Sequence, residues 1–290
     1  MSTVYKRSVV DIRMQEALPV VAVVKGERGH APVFKALDLI DYRKALAGYN
    51  TVLIKVNFIV DKTWDTGATT DPMVVEAIIK KLEALPVKVY VVESDATITN
   101  ADKAFEATGM KDMCRRNGVE WLNLRHVKDK VKLAVPDGEA LKSITVPRLV
   151  TESAVISAAK LKTHVDTGVT LGMKNMFGLL PDKFKGKYHL KGISKVVVDI
   201  NTVLRPALTV IDGFVGMEGQ GPIDGTPVQM NLIIAGTDVV ATDATACRVM
   251  GINPYEIKHI RKAFEKGLGK SDAQVLGEKL ETVTRPFKQN

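Results

Sequence analysis

TVLIKVNFIV, residues 51–60, is apolar at nearly every position, whereas a strand with one wet face would alternate. Such a run suits a strand covered on both sides, as in a parallel sheet flanked by helices. The residues just beyond it agree. Asp71 and Pro72 form an N-cap and first-turn pair, and Val74, Val75, Ile78, Ile79 and Leu82 then recur at helical spacing.

The same succession repeats along the chain. VVAVVKGE (20–27), VKVYVVES (87–94), VEWLNL (119–124), SAVISAAKLK (153–162), ALTVIDGF (207–214) and MNLIIAGTD (230–238) read as further strands. Helical patterns lie between and after them: ADKAFEATG closing at Gly109, ISKVVVDINTVL before Pro206, VATDATACRVMG closing at Gly251, and the basic amphipathic YEIKHIRKAFEKGLG. Alternating strands and helices predict an α/β fold, a mostly parallel sheet with helices on both faces. Residues 125–150 break the alternation, and the PDG turn at 136–138 predicts a hairpin excursion there. With no internal repeat and no low-complexity linker, residues 1–290 are expected to form one large domain.

The 41 Lys and Arg against 33 Asp and Glu leave a net charge of +8, which favours a small anionic molecule as partner. Few aromatic residues are interleaved with the basic ones, which disfavours nucleic acid. Cys114 and Cys247 form no CxxC, which argues against an iron–sulfur cluster within this chain and for a reducing compartment. The N-terminal MSTVYKRSVVDIRMQEALP has no continuous signal-peptide core, and no apolar run is long enough to span a bilayer. A cytoplasmic protein without a membrane partner is expected.

In open α/β sheets ligands bind at the carboxyl ends of the strands, so the polar residues there are the candidates. Lys55 and Asn57 share a strand face; Glu93, Ser94 and Asp95 end the next strand; Lys160, Lys162, Thr163 and His164 end another; Asp212 ends a fourth. Each alone has an ordinary explanation in snorkelling, capping or turn formation. Their convergence on one rim points to a site.

The segment HVDTGVTLGMKNMFGLLPDKFKGKYH (164–189) sharpens that reading. Gly168, Gly172 and Gly178 let backbone approach a ligand, Lys174 beside Asn175 offers a cation and a two-way hydrogen bonder, and His164 and His189 can serve as acid–base groups or metal ligands. The basic run 181–192 would set up a positive field beside them. A second glycine-rich stretch, DGFVGMEGQGPIDGTP (212–227), reads as a loop shaped around a ligand, with Glu218 its principal polar contributor. Beyond it, Asp238 stands at a strand end and Asp243 in the first turns of a helix, where the macrodipole alone explains a carboxylate.

Together, the KTH and TGVTLGMKNMFG segments, the histidine after them, IDGFVGMEGQGP and GTDVVATDATACRVMG resemble the family called domain of unknown function 362, over roughly residues 50–255. Many members of that family are joined to ferredoxin-like iron–sulfur modules, which implies a redox partner protein. The order of His164, Lys174 and His189 is also similar to the N-terminal part of nickel-pincer lactate racemases. That likeness implies a cofactor on Lys174, nickel on His189 and a catalytic base in His164. The chain departs from it in lacking a paired-glycine lysine sequence and a histidine near Glu93 to Asp95.

These observations lead us to expect an enzyme that acts on a small carboxylate or phosphate by acid–base proton transfer, like an isomerase or racemase. His164, Lys174 and His189 would be catalytic. Lys55, Asn57, Asp95, Lys162, Thr163, Asn175, Asp212 and Glu218 would bind substrate. His189 would hold any metal, a divalent ion or a nickel-pincer-like cofactor. The alternative is a non-catalytic metal- or cofactor-binding or assembly protein linked to iron–sulfur redox systems, acting with a redox partner or as a homo-oligomer.

Overall fold

The computed structural model describes residues 17–289; residues 1–16, which hold most of the N-terminal stretch considered for a signal core, lie outside the described residues. The strands are β1 (Val20–Lys25), β2 (Thr51–Lys55), β3 (Lys88–Glu93), β4 (Glu120–Asn123), β5 (Lys130–Ala134), β6 (Ser143–Pro147), β7 (Ala154–His164), β8 (Gly168–Val169), β9 (Leu208–Glu218), β10 (Thr226–Gly236) and β11 (Gln274–Gly277). One sheet takes the order β11-β1-β10-β9-β7-β2-β3-β4, with β8 paired to β7, and β5 and β6 form a separate hairpin. The strands from β9 to β4 are mutually parallel, and β10 runs against its neighbours β9 and β1. The fold is thus the expected α/β arrangement with a mostly parallel sheet.

Burial explains why these runs became strands. β7 and β9 are buried at all their positions, as expected of strands covered on both faces. On one face, helices His30–Leu39, Pro72–Leu82, Ala101–Ala107 and Met110–Arg116 pack an apolar layer against the sheet. On the other lie Leu171–Asn175, Ile193–Val203, Val239–Val249 and Lys258–Glu265. Asp71 caps its helix by accepting from the Met73 N–H at 2.9 Å, as the Asp-Pro pair predicts.

The predicted hairpin is present as β5 and β6, and Asp199 fastens its tip by accepting from the backbone N–H groups of Glu139, Ala140 and Leu141. Gly109 does not simply end a helix. Its left-handed backbone (φ +75°) joins Ala101–Ala107 to a second helix at Met110. The larger correction concerns residues 212–227. Most of that stretch is strand, because β9 continues to Glu218 and β10 begins at Thr226. Its glycines serve packing: a Cβ on Gly213 would lie 2.9 Å from the Leu232 carbonyl oxygen, and one on Gly216 2.8 Å from that of Leu161. Among the described residues no helix is long and apolar enough to cross a membrane.

Candidate functional site

β7, β2 and β3 are adjacent and parallel, so their carboxyl ends meet on one rim. β7 brings Lys162 and His164 there, β2 brings Lys55 with Asn57 two residues on, and β3 brings Glu93 and then Ser94. Residues 171–179 fold back over the rim as a short helix and a 3₁₀ turn carrying Lys174, Asn175 and Phe177. Asp243, fully buried, fixes the start of that segment by accepting from Gly172 N–H at 2.7 Å and Met173 N–H at 2.8 Å. Burial pushes its carboxyl up to about 7 against the pull of those two donors. Rim and segment enclose a cavity of about 290 Å³.

A dense polar knot forms the floor. The Lys55 ammonium donates to Glu93 Oε2 at 2.8 Å, to the Val56 carbonyl at 2.6 Å and to Asn175 Oδ1 at 3.1 Å. Asn175 Nδ2 donates to the Lys55 carbonyl at 2.9 Å and Ser157 Oγ at 3.1 Å, and its Oδ1 also accepts from Asn57 Nδ2 at 3.0 Å. Glu93 further accepts from the N–H groups of Phe58 and Ser94. Gly178 lies directly on the Lys55–Glu93 pair, where a Cβ would collide with Lys55 Cε and Nζ and with Glu93 Oε1. Gly178→Ala is therefore expected to destabilise the protein by about 1–3 kcal/mol through overpacking. Chemical denaturation measures this, and an unchanged midpoint would mean that the pair can move aside.

Above the floor the lysines crowd. Lys162 donates to the carbonyls of Ala68 at 2.5 Å and Pro222 at 3.4 Å. Burial first, then the like charges of Lys174, Lys160 and Lys55, holds its ammonium well below the usual range despite Glu93. Lys185 donates to Ser94 Oγ at 2.8 Å and is lowered to about 8, chiefly by burial. Lys174 is half-buried and also lowered to about 8 by burial, and it has no hydrogen-bond or ion-pair partner among the described residues. The Lys174 and Lys185 ammonium groups lie 5.9 and 5.4 Å from the Phe177 ring centre.

His164 is buried, and burial with the charges of Lys174 and Lys162 lowers its imidazole to about 2. Its Nδ1 accepts from the Asp166 N–H at 3.0 Å, so in the neutral ring the proton belongs on Nε2. Two buried polar atoms of the lining, Asn57 Oδ1 and Thr170 Oγ1, have no hydrogen-bond partner among the described residues.

Of the residues singled out from sequence, Lys55, Asn57, Lys162, His164, Lys174, Asn175 and His189 line this cavity. Asp95, Thr163, Asp212 and Glu218 do not. Asp95 is engaged by Arg125, Asn123 and the Ala101 N–H; Thr163 donates to the Gly219 carbonyl; Asp212 pairs with Lys160; Glu218 accepts from Arg285 and the Lys288 N–H. Asp238 caps the Val239–Val249 helix. The second glycine-rich stretch does reach the cavity, but through Pro222 and Ile223 in its turn.

Lys185 and Thr170 also belong to the lining, and the basic run 181–192 was the signal that could have flagged the first. His189 Nδ1 lies 3.2 Å from Asp166 Oδ2. Among the described residues no three His, Cys, Asp or Glu side chains gather to hold a metal ion, so a metal bound by protein side chains alone does not fit this cavity.

Fold and cavity together define an open-sheet α/β protein with a lysine-lined cavity at the carboxyl edge of its parallel strands. The chain belongs to the family described as Domain of unknown function (DUF362), which matches residues 52–248 and so spans every cavity-lining residue. It is also similar to a thylakoid-associated protein of Synechocystis sp., at 30% identity over 127 residues. The match covers 42% of this chain and 40% of that protein, well under half the length of the relative.

Proposed function

We propose that the cavity binds a small anion, a carboxylate or phosphate, and moves a proton to or from it through Lys174. The observation that carries this reading is the convergence of Lys55, Lys162, Lys174 and Lys185 on one small cavity whose only buried acid among the described residues is Glu93. Burial lowers all four ammonium groups and neighbouring like charges lower Lys162, Lys174 and Lys185 further, so an anion among them would favour their charged forms. Lys174 is suited to proton transfer because it is unpaired and lowered to about 8, within reach of neutral pH. His164, held neutral with its proton on Nε2, is better suited to donate a hydrogen bond to the ligand than to act as base. The Thr170 hydroxyl, lacking a hydrogen-bond partner among the described residues, can do the same.

Calorimetric titration with inorganic phosphate and with malonate, in two buffers of different ionisation enthalpy, tests this. Binding should take up protons near pH 8, and affinity should fall by up to about tenfold per pH unit above about 8 for each lysine coupled to the anion. Failure of both probes to bind would end the reading. Stability has its own pH signature. Lys174 and Lys185 are lowered from 10.5 to about 8, so between those values the unfolded chain holds more protons than the native one. Stability should therefore rise with pH across that window through these two groups.

A further inference from the structure

The mouth of the cavity does not match its floor. The three most exposed large hydrophobic side chains among the described residues are Leu190 (93%), Phe184 (74%) and Ile98 (71%), and Val165 is 52% exposed. Ile98 and Val165 line the cavity. Phe184 and Leu190 are the chain neighbours of the lining residues Lys185 and His189. Pro222 and Ile223 add further apolar surface to the lining. Single exposed apolar residues are ordinary, but two in the lining of one cavity and two more next in the chain to its lining residues are not. A cavity evolved for a free hydrophilic anion gains nothing from an apolar mouth, which exposes hydrophobic surface to water without recompense.

We propose that the ligand is an amphiphile, an anionic head joined to an apolar body. This rests on the cavity's binding an anion. The carboxylate or phosphate sits among Lys55, Lys162, Lys174 and Lys185, and the apolar part leaves across Ile98 and Val165 towards Phe184 and Leu190. The enclosed volume of about 290 Å³ is small for a ligand pocket, so it accommodates the head and its first few carbons and leaves the remainder against the mouth.

The test is calorimetric titration of the full chain with linear alkyl phosphates of increasing length, each below its micelle concentration, beside inorganic phosphate and the matching alcohols. Affinity should rise about two- to fourfold per methylene over the first several carbons, and the alcohols should bind at least about tenfold more weakly than the corresponding phosphates. The double variants Ile98→Ser with Val165→Ser and Phe184→Ser with Leu190→Ser should each reduce the ratio of long-chain to short-chain affinity. Both pairs are solvent-exposed, so neither is expected to unfold the protein.

A series that binds with no dependence on length would overturn the amphiphile and leave the anion site standing. Alcohols as tight as phosphates, or a slope untouched by both double variants, would mean adsorption to apolar surface and would also overturn it. No binding of phosphate or of any alkyl phosphate would bring down the anion reading itself.

Discussion

Replacing Lys160 with methionine is expected to cost about 3–5 kcal/mol of folding stability, the range found when one partner of a buried ion pair is removed. Lys160 and Asp212 are both fully buried, and Lys160 Nζ donates to Asp212 Oδ2 at 2.7 Å. Asp212 also accepts from the N–H groups of Asp71 (2.8 Å) and Phe214 (3.1 Å). Asp71 is held in turn by the Arg28 guanidinium, bonded at 2.6 and 2.8 Å and stacked 4.1 Å over the Trp64 ring.

Without Lys160 the Asp212 carboxylate would stand in the interior next to Asp71 with its main countercharge gone. Burial already raises its carboxyl above the ordinary value, and the substitution should raise it further. The variant's deficit should therefore shrink as pH falls and Asp212 protonates. Urea denaturation at pH 8 and pH 5 measures both effects. Adding Asp212→Asn should recover part of the loss, since a neutral amide oxygen can still accept from Asp71. A deficit below about 1 kcal/mol at pH 8 would mean that the pair is dispensable.

The second large effect concerns binding. Lys174→Met with Lys185→Met should weaken phosphate binding by about a hundredfold or more, since each charge-assisted hydrogen bond to an anion contributes about 1.5–3 kcal/mol. Stability should move the other way. Both ammonium groups are lowered by burial to about 8, so holding them charged below that pH costs the native state, and methionine removes the cost. Calorimetric titration paired with thermal melting at pH 7 reads the two together. Weaker binding with an equal or higher melting temperature identifies residues kept for function. Weaker binding with a melting temperature several degrees lower would make the lysines structural.

Much of this architecture was legible from side-chain burial. Val52, Leu53 and Ile54 in β2 are completely buried, and a run with no polar interruption is what such a position demands. The rule that ligands meet the strand ends then led from Lys55, Lys162 and His164 to the rim that carries the cavity. What could not be read was which partner each polar group takes. Asp212 comes after an apolar run just as Glu93 does, yet β9 continues past it and buries it against Lys160, whereas Glu93 closes its strand and faces the cavity.

The irregular pairing of β7 with β9 between Lys160 and Lys162 adds to this. Two lysines that sequence alternation places together flank it, one going to an internal ion pair and the other to the cavity. Glycine misled in a similar way. At 213 and 216 it answers to neighbouring carbonyl oxygens, a demand that composition cannot distinguish from the needs of a loop.

β10, the strand that runs against its neighbours, bears on how the molecule comes together. It pairs on one side with β9 and on the other with β1, which in turn pairs with β11. Residues 20–25 must therefore wait for a partner some two hundred positions downstream, and the outermost strand is supplied by residues 274–277. Assembly of that border is governed by distant pairings, which are slow to find. The boundaries 52 and 248 that define the family match cut through this arrangement. A piece trimmed to them would leave the apolar Leu232–Ile234 run of β10 with an open row of backbone donors and acceptors, an invitation to pair with other chains.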